Sequence, residues 1–152
     1  MTAPQPQVNV AIASRYENIE LVQVAVEASL DLLDLDEETS HRIALAVREG
    51  VANAIKHGNR ENPDKTVDVE CVLESNRVVV KIEDQGEGFD PTALPDPLHP
   101  ENLMKPSGRG IFFMNQFMDE IDYTFSPGGG TIVTMRKTIT PASDEVGTSE
   151  EE

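Results

Sequence analysis

The chain has 152 residues, of which 38% are hydrophobic, enough for one domain with a single sizeable core. Its 12 basic and 28 acidic side chains give a formal charge of −16, which would repel a phosphate backbone and argues against a nucleic-acid partner. The single cysteine cannot form an intramolecular disulfide, and the sequence contains neither a membrane-spanning apolar run nor a signal-peptide pattern. We therefore expect a cytoplasmic protein without a membrane partner.

The N-terminal part of the chain begins with residues 1–7, which we expect to be flexible. The domain is expected to span residues 8–140, and alternating valines and isoleucine over 8–13 predict its first strand. Ser14 followed by Glu17 is a capping-box pattern and predicts the start of a helix.

The first helix is apolar over an unusually wide surface. One stripe at helical spacing consists of Ile19, Val22, Val26, Leu30 and Leu33. A second stripe consists of Leu21, Val24, Ala25, Ala28 and Leu32. Between them only a narrow acidic edge is left for water, formed by Glu20, Glu27, Asp31 and Asp34. We expect such a helix to be covered on more than one side, by its own core or by a partner.

The remaining elements follow in order along the chain. A second helix is predicted from a cap at Asp36 to about His57, with Gly58 placed to end it. Strands are predicted over 66–73, 78–82, 122–125 and 131–137, with a short helix over about 110–118. The Gly- and Pro-rich stretch 84–110 reads as a long functional loop, and 141–152 as an acidic disordered tail.

This order of elements predicts the fold class. Strands joined as hairpins, with helices grouped apart, favour an α+β protein in two layers. We expect a mainly antiparallel sheet with helices on one face, rather than a doubly wound nucleotide-binding fold.

The first candidate chemical cluster lies on the second helix. Glu49, Asn53 and His57 fall at positions i, i+4 and i+8, along one stripe opposite the apolar positions. Leu45, Ala46 and Ala52 flank this stripe, so it faces a partly apolar surface. A carboxylate and an amide one turn apart can serve as a base and a metal ligand, although a solvated helix face gives the same pattern.

The second cluster follows the strand 78–82. Asp84 at a strand end can accept a hydrogen bond from an exocyclic amine such as that of adenine, and Gly86 and Gly88 allow a flat ring to approach the backbone. A dinucleotide-binding fingerprint does not fit, because the third glycine and a directly following helix are missing. An ordinary glycine-rich turn is the other reading.

The third cluster is Gly108, Arg109 and Gly110, at the predicted entrance of the short helix. Exposed backbone N–H groups, the helix dipole and a guanidinium could together hold phosphates there. A simple helix start after a turn fits the same residues.

Taken in order, REGVANAIKHGN, DQGEG and GRG resemble the N, G1 and G2 boxes of the GHKL superfamily, and in particular its stand-alone anti-sigma factor serine/threonine kinases. The resemblance covers about residues 8–138 and implies the ATP-binding α/β sandwich of that superfamily. It also implies ATP and Mg²⁺ as cofactors.

The resemblance further implies a role for each matching residue. Asn53 would bind Mg²⁺, and Glu49 would be the catalytic base for the hydroxyl of a partner Ser or Thr. Asp84 would accept from the adenine amine. The two glycine-containing motifs would hold the rest of the nucleotide: Gly86 and Gly88 at the adenine, and Gly108, Arg109 and Gly110 at the phosphates.

The family's function is partner switching, so the resemblance implies a sigma factor and a STAS-type anti-sigma factor antagonist as partners, and a homodimer. A nucleotide-gated binding module acting on a non-sigma partner is an alternative, as is an ATPase or a histidine-kinase catalytic fragment. His41 and His99 are interpreted as surface residues and Cys71 as a small core residue, and no zinc-ligand spacing is present.

Overall fold

The computed structural model describes residues 7–33, 35–74, 76–86 and 114–139. Its strands are β1 (Gln7–Ala13), β2 (Thr66–Glu74), β3 (Arg77–Glu83), β4 (Glu120–Phe125) and β5 (Thr131–Thr138). Its α-helices are α1 (Ile19–Asp31) and α2 (Glu37–Asn53). A 3₁₀ turn, Tyr16–Asn18, precedes α1, and a π-helical turn, Ala54–Gly58, continues α2. Residues 114–117 are also helical.

The strands form one five-stranded sheet in the order β1-β2-β3-β5-β4, and each described strand pair is antiparallel. The register aligns Cys71 with Val80 and Val80 with Met135, which places these side chains in one row on the same face. All three are buried. This face is therefore the one that the helices cover.

The core lies between that sheet face and the two helices. Inward residues of β2 alternate with exposed or half-buried ones, as expected for a sheet covered on one side, whereas in β3 the outward-facing Val79 is buried as well. Fully buried residues of α1 and α2 complete the same cluster, which includes Val22, Val26, Leu30, Ile43, Val47, Val51, Val67, Val69, Val80 and Ile82. The predicted α+β sandwich, with its two hairpins, is confirmed.

The predicted start was correct for α2 and wrong for α1. Asp36 caps α2 as predicted: its Oδ2 accepts a hydrogen bond from the Thr39 backbone N–H at 3.1 Å, and hydrogen bonding from Thr39 lowers the pKa of Asp36. The predicted capping box of Ser14 and Glu17 is wrong. The turn before α1 begins after Arg15 without a side-chain cap, because the Ser14 hydroxyl bonds elsewhere, donating to the Lys65 carbonyl at 2.8 Å.

The two apolar stripes of α1 also differ. Ile19, Val22, Val26 and Leu30 of the first stripe are buried and its Leu33 is half-buried, as predicted. The second stripe is not covered by the core of its own chain, because Leu21, Val24 and Leu32 are 61%, 62% and 75% exposed. The chain alone therefore leaves this side of α1 open.

Candidate functional site

Asp84 directly follows β3 and is almost fully buried, with 4% of its surface exposed. Its Oδ1 accepts hydrogen bonds from the backbone N–H groups of Gly86 at 2.9 Å and Thr131 at 3.0 Å. Its own backbone N–H donates to the Thr131 carbonyl at 3.0 Å. A carboxylate is tolerated in the interior when such donors satisfy it. The two N–H groups also fix the orientation of the carboxylate, with Oδ2 beside Gly58.

Three glycines enclose Asp84 so tightly that none has room for a side chain. A Cβ on Gly58 would lie 2.0 Å from Asp84 Oδ2, and one on Gly130 would lie 2.0 Å from the Asp84 carbonyl oxygen. A Cβ on Gly86 would lie 2.0 Å from the Gly58 carbonyl oxygen. The close approach at Gly86 is therefore to the protein's own backbone, which packs the end of α2 against the turn after β3.

Asn59 joins the ends of three strands, a role that sequence reasoning missed. It is 1% exposed, and its Nδ2 donates to Ser14 Oγ at 2.7 Å and to the Thr66 carbonyl at 2.9 Å. Its Oδ1 accepts from the Gln85 backbone N–H at 2.7 Å. These bonds fix the turn that carries Asp84 and Gly86. The only sequence signal was an asparagine after a helix-ending glycine, which is typical of any turn.

Thr131 supplies a second buried polar group beside Asp84. The residue is 1% exposed, and within the described part of the chain its Oγ1 is the buried side-chain oxygen or nitrogen that lacks a hydrogen-bond partner. Leaving a hydroxyl buried and unpaired costs about 1–3 kcal/mol, so such an atom next to an anchored carboxylate fits a ligand-binding pocket. No sequence pattern distinguished Thr131 from other strand threonines.

Glu49 and Asn53 lie one turn apart on α2 and are both half-buried. Neither side chain forms a hydrogen bond or ion pair within the described residues. Val47, Val51 and Ala54 on the other side of the helix are buried, as the stripe pattern predicts. Two polar side chains are thus held in place by a packed helix while their functional atoms have no partner in the part of the chain that the structure describes.

Two contacts show what lies next to this stripe. A Cβ on Gly50 would meet the Ile82 side chain at 2.6 Å and Met114 Sδ at 3.5 Å, so the absence of a side chain there lets α2 lie close to β3. One turn from the start of α2, the Arg42 guanidinium lies 6.0 Å from the Phe117 ring centroid. The stripe of Arg42, Glu49 and Asn53 therefore lies on the side of α2 that faces residues 114–117.

The end of α2 widens into the π-helical turn, where the Asn59 backbone N–H donates to the Ala54 carbonyl at 2.8 Å. Such turns often occur at functional sites. His57 lies on it and is exposed, and partial burial together with the nearby Lys56 lowers the pKa of His57. The structure places the His57 side chain at the surface.

Several predicted residues lie outside the described residues: Gly88, Gly108, Arg109, Gly110 and His99. Within the described ranges, His41 is exposed, Cys71 is buried, and no group of three or more His, Cys, Asp or Glu side chains could hold a metal. Within those ranges, no helix is long and apolar enough to cross a membrane.

Comparison with known proteins decides the family. The model of the histidine kinase-like ATPase domain matches residues 12–137. The chain belongs to that family. Membership of an ATPase-domain family implies ATP binding, and it agrees with the buried polar groups of Asp84 and Thr131.

The chain is also similar to individual proteins with known names and to one solved structure. The chain is 33% identical over 137 residues to an anti-sigma F factor of Oceanobacillus iheyensis, covering 88% of this chain and 92% of that protein. It is 30% identical over 135 residues to an anti-sigma F factor of Clostridium beijerinckii, covering 86% and 93%. The fold is similar to that of the RsbU and RsbW domains of a Mycobacterium tuberculosis protein, with TM-score 0.65 and 18% identity, over 90% of this chain and 33% of that one.

Proposed function

We propose that this family member is an ATP-dependent anti-sigma factor serine/threonine kinase. It would hold a sigma factor and phosphorylate a Ser or Thr of a STAS-type antagonist, in the cytoplasm. The observation that carries the kinase step is the position of Glu49 and Asn53 on the helix whose end packs against Asp84. Both side chains are half-buried and neither has a hydrogen-bond or ion-pair partner among the described residues.

The buried polar groups of Asp84 and Thr131 suit the polar edge of the adenine of ATP. Two backbone donors occupy Oδ1, which leaves Oδ2 as the oxygen to accept from the exocyclic amine. The unpaired Thr131 hydroxyl can bond a ring nitrogen, directly or through a water. Both groups are buried before any ligand binds, so little reorganisation is needed.

The α2 stripe fits the phosphate end of the nucleotide. Asn53 offers an amide oxygen, a ligand type that Mg²⁺ accepts, and would hold the metal at this end of the site. When bound, ATP supplies the γ-phosphoryl group. Gly86 and Gly88 are proposed for the adenine side, and Gly108, Arg109 and Gly110 for the phosphates, on the resemblance alone.

Glu49 lies one helical turn before Asn53, the proposed metal ligand at the phosphate end of the nucleotide. In the proposed site its carboxylate would therefore act as a base near the phosphates rather than near adenine. The carboxylate has no partner among the described residues, so it is free to accept the proton of a hydroxyl. A positioned base of this kind contributes about 10²–10⁴-fold in rate.

The sigma-binding half of the proposal is supported by the relatives, which are named anti-sigma F factors and match most of this chain. The STAS antagonist and the homodimer come from the motif resemblance. An acidic protein with charge −16 is also suited to hold a DNA-binding partner, because such partners carry basic surfaces.

The test is Glu49→Gln, which keeps the size of the side chain and removes its basic charge. Purified STAS-domain proteins of the same genome are phosphorylated under single-turnover conditions at saturating radiolabelled ATP, and purified sigma factors are tested for binding. We expect ATP affinity near wild type, retained sigma binding and a loss of transfer of about 10²-fold or more. Glu70→Gln is the matched control, since Glu70 is also half-buried but lies on the outer face of the sheet.

Two results would contradict the proposal. Transfer at the parental rate by Glu49→Gln would remove the base and favour a nucleotide-gated binding module. Absence of any transfer or sigma binding by the wild-type protein would reject the anti-sigma kinase altogether.

A further inference from the structure

The two carboxylate oxygens of Asp84 differ in their surroundings. Its Oδ1 accepts hydrogen bonds from the Gly86 and Thr131 backbone N–H groups at 2.9 and 3.0 Å. Within the described part of the chain, no donor is bonded to its Oδ2. Because a carboxylate only accepts hydrogen bonds, Oδ2 is the oxygen that can receive a donor from a ligand.

An aspartate alone does not distinguish adenine from guanine. Adenine presents an exocyclic amine, which can donate to one carboxylate oxygen. Guanine presents a carbonyl at the same ring position, but its ring N–H and its own amine lie side by side and can donate to both oxygens of a carboxylate at once. The Thr131 hydroxyl adds no discrimination, because a hydroxyl can either donate or accept. Rejection of guanine therefore requires that Oδ1 of Asp84 stays occupied.

Gly86, which supplies one of the two donors to Asp84 Oδ1, lies in a turn that is fixed from outside. The buried Asn59 accepts a hydrogen bond at its Oδ1 from the Gln85 backbone N–H, at 2.7 Å. The Gln85 side chain makes a second bond, in which its Oε1 accepts from the Thr66 backbone N–H at 2.7 Å. Gln85 is thus held through its backbone and its side chain, which fixes the position of the next residue, Gly86.

The orientation of the Asn59 amide is determined by partners of opposite kinds. Its Nδ2 donates to Ser14 Oγ at 2.7 Å and to the Thr66 carbonyl at 2.9 Å, while its Oδ1 faces the Gln85 N–H. A flipped amide would set oxygen against the Thr66 carbonyl and N–H against the Gln85 N–H. The side chain therefore has one favourable orientation, in which it holds the turn.

We propose that Asn59 is a positioning residue for base selection: through Gln85 it keeps the Gly86 N–H on Oδ1 of Asp84, so that the site accepts adenine and rejects guanine. The inference rests on the proposed function, in which Asp84 receives the base of the nucleotide. Asn59 acts through the orientation of one carboxylate and needs no contact with the base. Its side chain thereby affects specificity as well as stability.

Loss of the Asn59 amide would release one of the two bonds that hold Asp84 Oδ1. The Thr131 N–H would remain in place, because it depends on the pairing of β3 with β5. Held by one bond, the carboxylate can rotate and offer both oxygens to guanine. The ratio of the ATP and GTP affinities should then change, whereas a purely structural role would weaken the binding of both nucleotides alike.

The test measures the affinities of the full chain for ATP and GTP by titration calorimetry in Mg²⁺. Two variants loosen the turn: Asn59→Ala, and Gln85→Ala at an exposed position, which keeps the test decisive if Asn59→Ala does not fold. Ser14→Ala is the matched control, because it removes a bond from the Nδ2 end of Asn59 while the Thr66 carbonyl still holds that end. Urea denaturation followed by circular dichroism gives the stability of each protein.

We expect the wild-type protein to bind ATP about 100-fold or more tightly than GTP, since a fixed acceptor facing the guanine carbonyl leaves both groups unpaired. Asn59→Ala and Gln85→Ala should each reduce this ratio by about tenfold or more. Ser14→Ala should lose stability and keep the parental ratio.

A parental ratio in the folded Asn59→Ala protein, or in Gln85→Ala if Asn59→Ala does not fold, would reject the role in base selection and leave the proposed function intact. Equal binding of ATP and GTP by the wild-type protein would reject it too. A ratio reduced as much in Ser14→Ala would assign the effect to general loosening around Asn59 and overturn the inference. A wild-type protein that binds no nucleotide would reject the proposed function, and this inference with it.

Discussion

The amide oxygen of Asn59 accepts a hydrogen bond from the backbone N–H of Gln85 at 2.7 Å, and so ties the end of α2 to the turn after β3. The other end of the same side chain reaches Ser14 and Thr66. One buried asparagine therefore holds together the backbone segments that shape the candidate site.

Asn59→Ala should destabilise the fold by about 2–3 kcal/mol, because three partners lose a buried hydrogen bond at once. Urea denaturation followed by circular dichroism measures this change. Asn62→Ala is the control, since Asn62 is exposed and, within the described ranges, its side chain accepts one local hydrogen bond, from the Asp64 backbone N–H. Equal stability of the two variants would show that the Asn59 bonds contribute nothing net.

Gly58→Ala should displace the Asp84 carboxylate, since the new Cβ would lie 2.0 Å from Oδ2 and 2.3 Å from Cγ. Overpacking of this kind costs about 1–3 kcal/mol, and we expect ATP affinity to fall as well. Gly128→Ala is the matched control, because nothing lies within 4 Å of a Cβ there. Denaturant unfolding and titration calorimetry measure both quantities. A Gly58→Ala protein with parental stability and affinity would contradict the tight packing.

Asp84→Asn should abolish or strongly weaken ATP binding. An amide can keep one oxygen facing the Gly86 and Thr131 N–H groups, but it then presents a donor where Oδ2 accepted. Loss of a hydrogen bond to a charged group costs about 1.5–3 kcal/mol, or at least tenfold in affinity. Calorimetry with Asp68→Asn, an exposed carboxylate on the sheet, as control measures the loss. Unchanged affinity would remove Asp84 from the adenine site.

Asn53→Ala should weaken nucleotide binding mainly when Mg²⁺ is present, because the lost group is a metal ligand in the proposed site. Titrations with Mg²⁺ and with EDTA separate the two contributions. His57→Ala, one turn further along but exposed, should show no such metal dependence. An equal loss with and without the metal would argue against a ligand role for Asn53.

Cys71 should be chemically silent in the folded protein. Burial raises the pKa of its thiol to about 11 from the ordinary value of 9.0, so the folded state disfavours the reactive thiolate. Its contribution to stability is present below about pH 9 and is lost as the pH rises toward 11, because the unfolded thiol ionises first. A thiol-specific reagent at about pH 8 should react only in urea. Cys71→Val should flatten the decline in stability over this pH range, and rapid labelling of the native protein would contradict the burial.

Features that depend on residues close together in the sequence were predicted correctly, whereas features that depend on residues far apart in the sequence were missed or predicted wrongly. The Asp36 cap and the α2 stripe depend on residues within two or three turns of one helix, and the sequence sufficed for both. The Ser14 cap was predicted wrongly because the Ser14 hydroxyl accepts a hydrogen bond from Asn59, which lies 45 residues away and could not be identified as a partner from the local sequence. The same holds for Thr131, which reaches Asp84 across 47 residues and only after β3 and β5 have paired.

The glycine packing around Asp84 limits how this protein can change over generations. Every single-base change that alters the residue encoded by a glycine codon either adds a Cβ or ends the chain. At Gly58, Gly86 and Gly130 such a Cβ would meet another atom at 2.0 Å. No single amino-acid substitution at these three positions avoids such a clash. Substitutions that change what the protein recognises must therefore occur elsewhere, on surfaces such as α1.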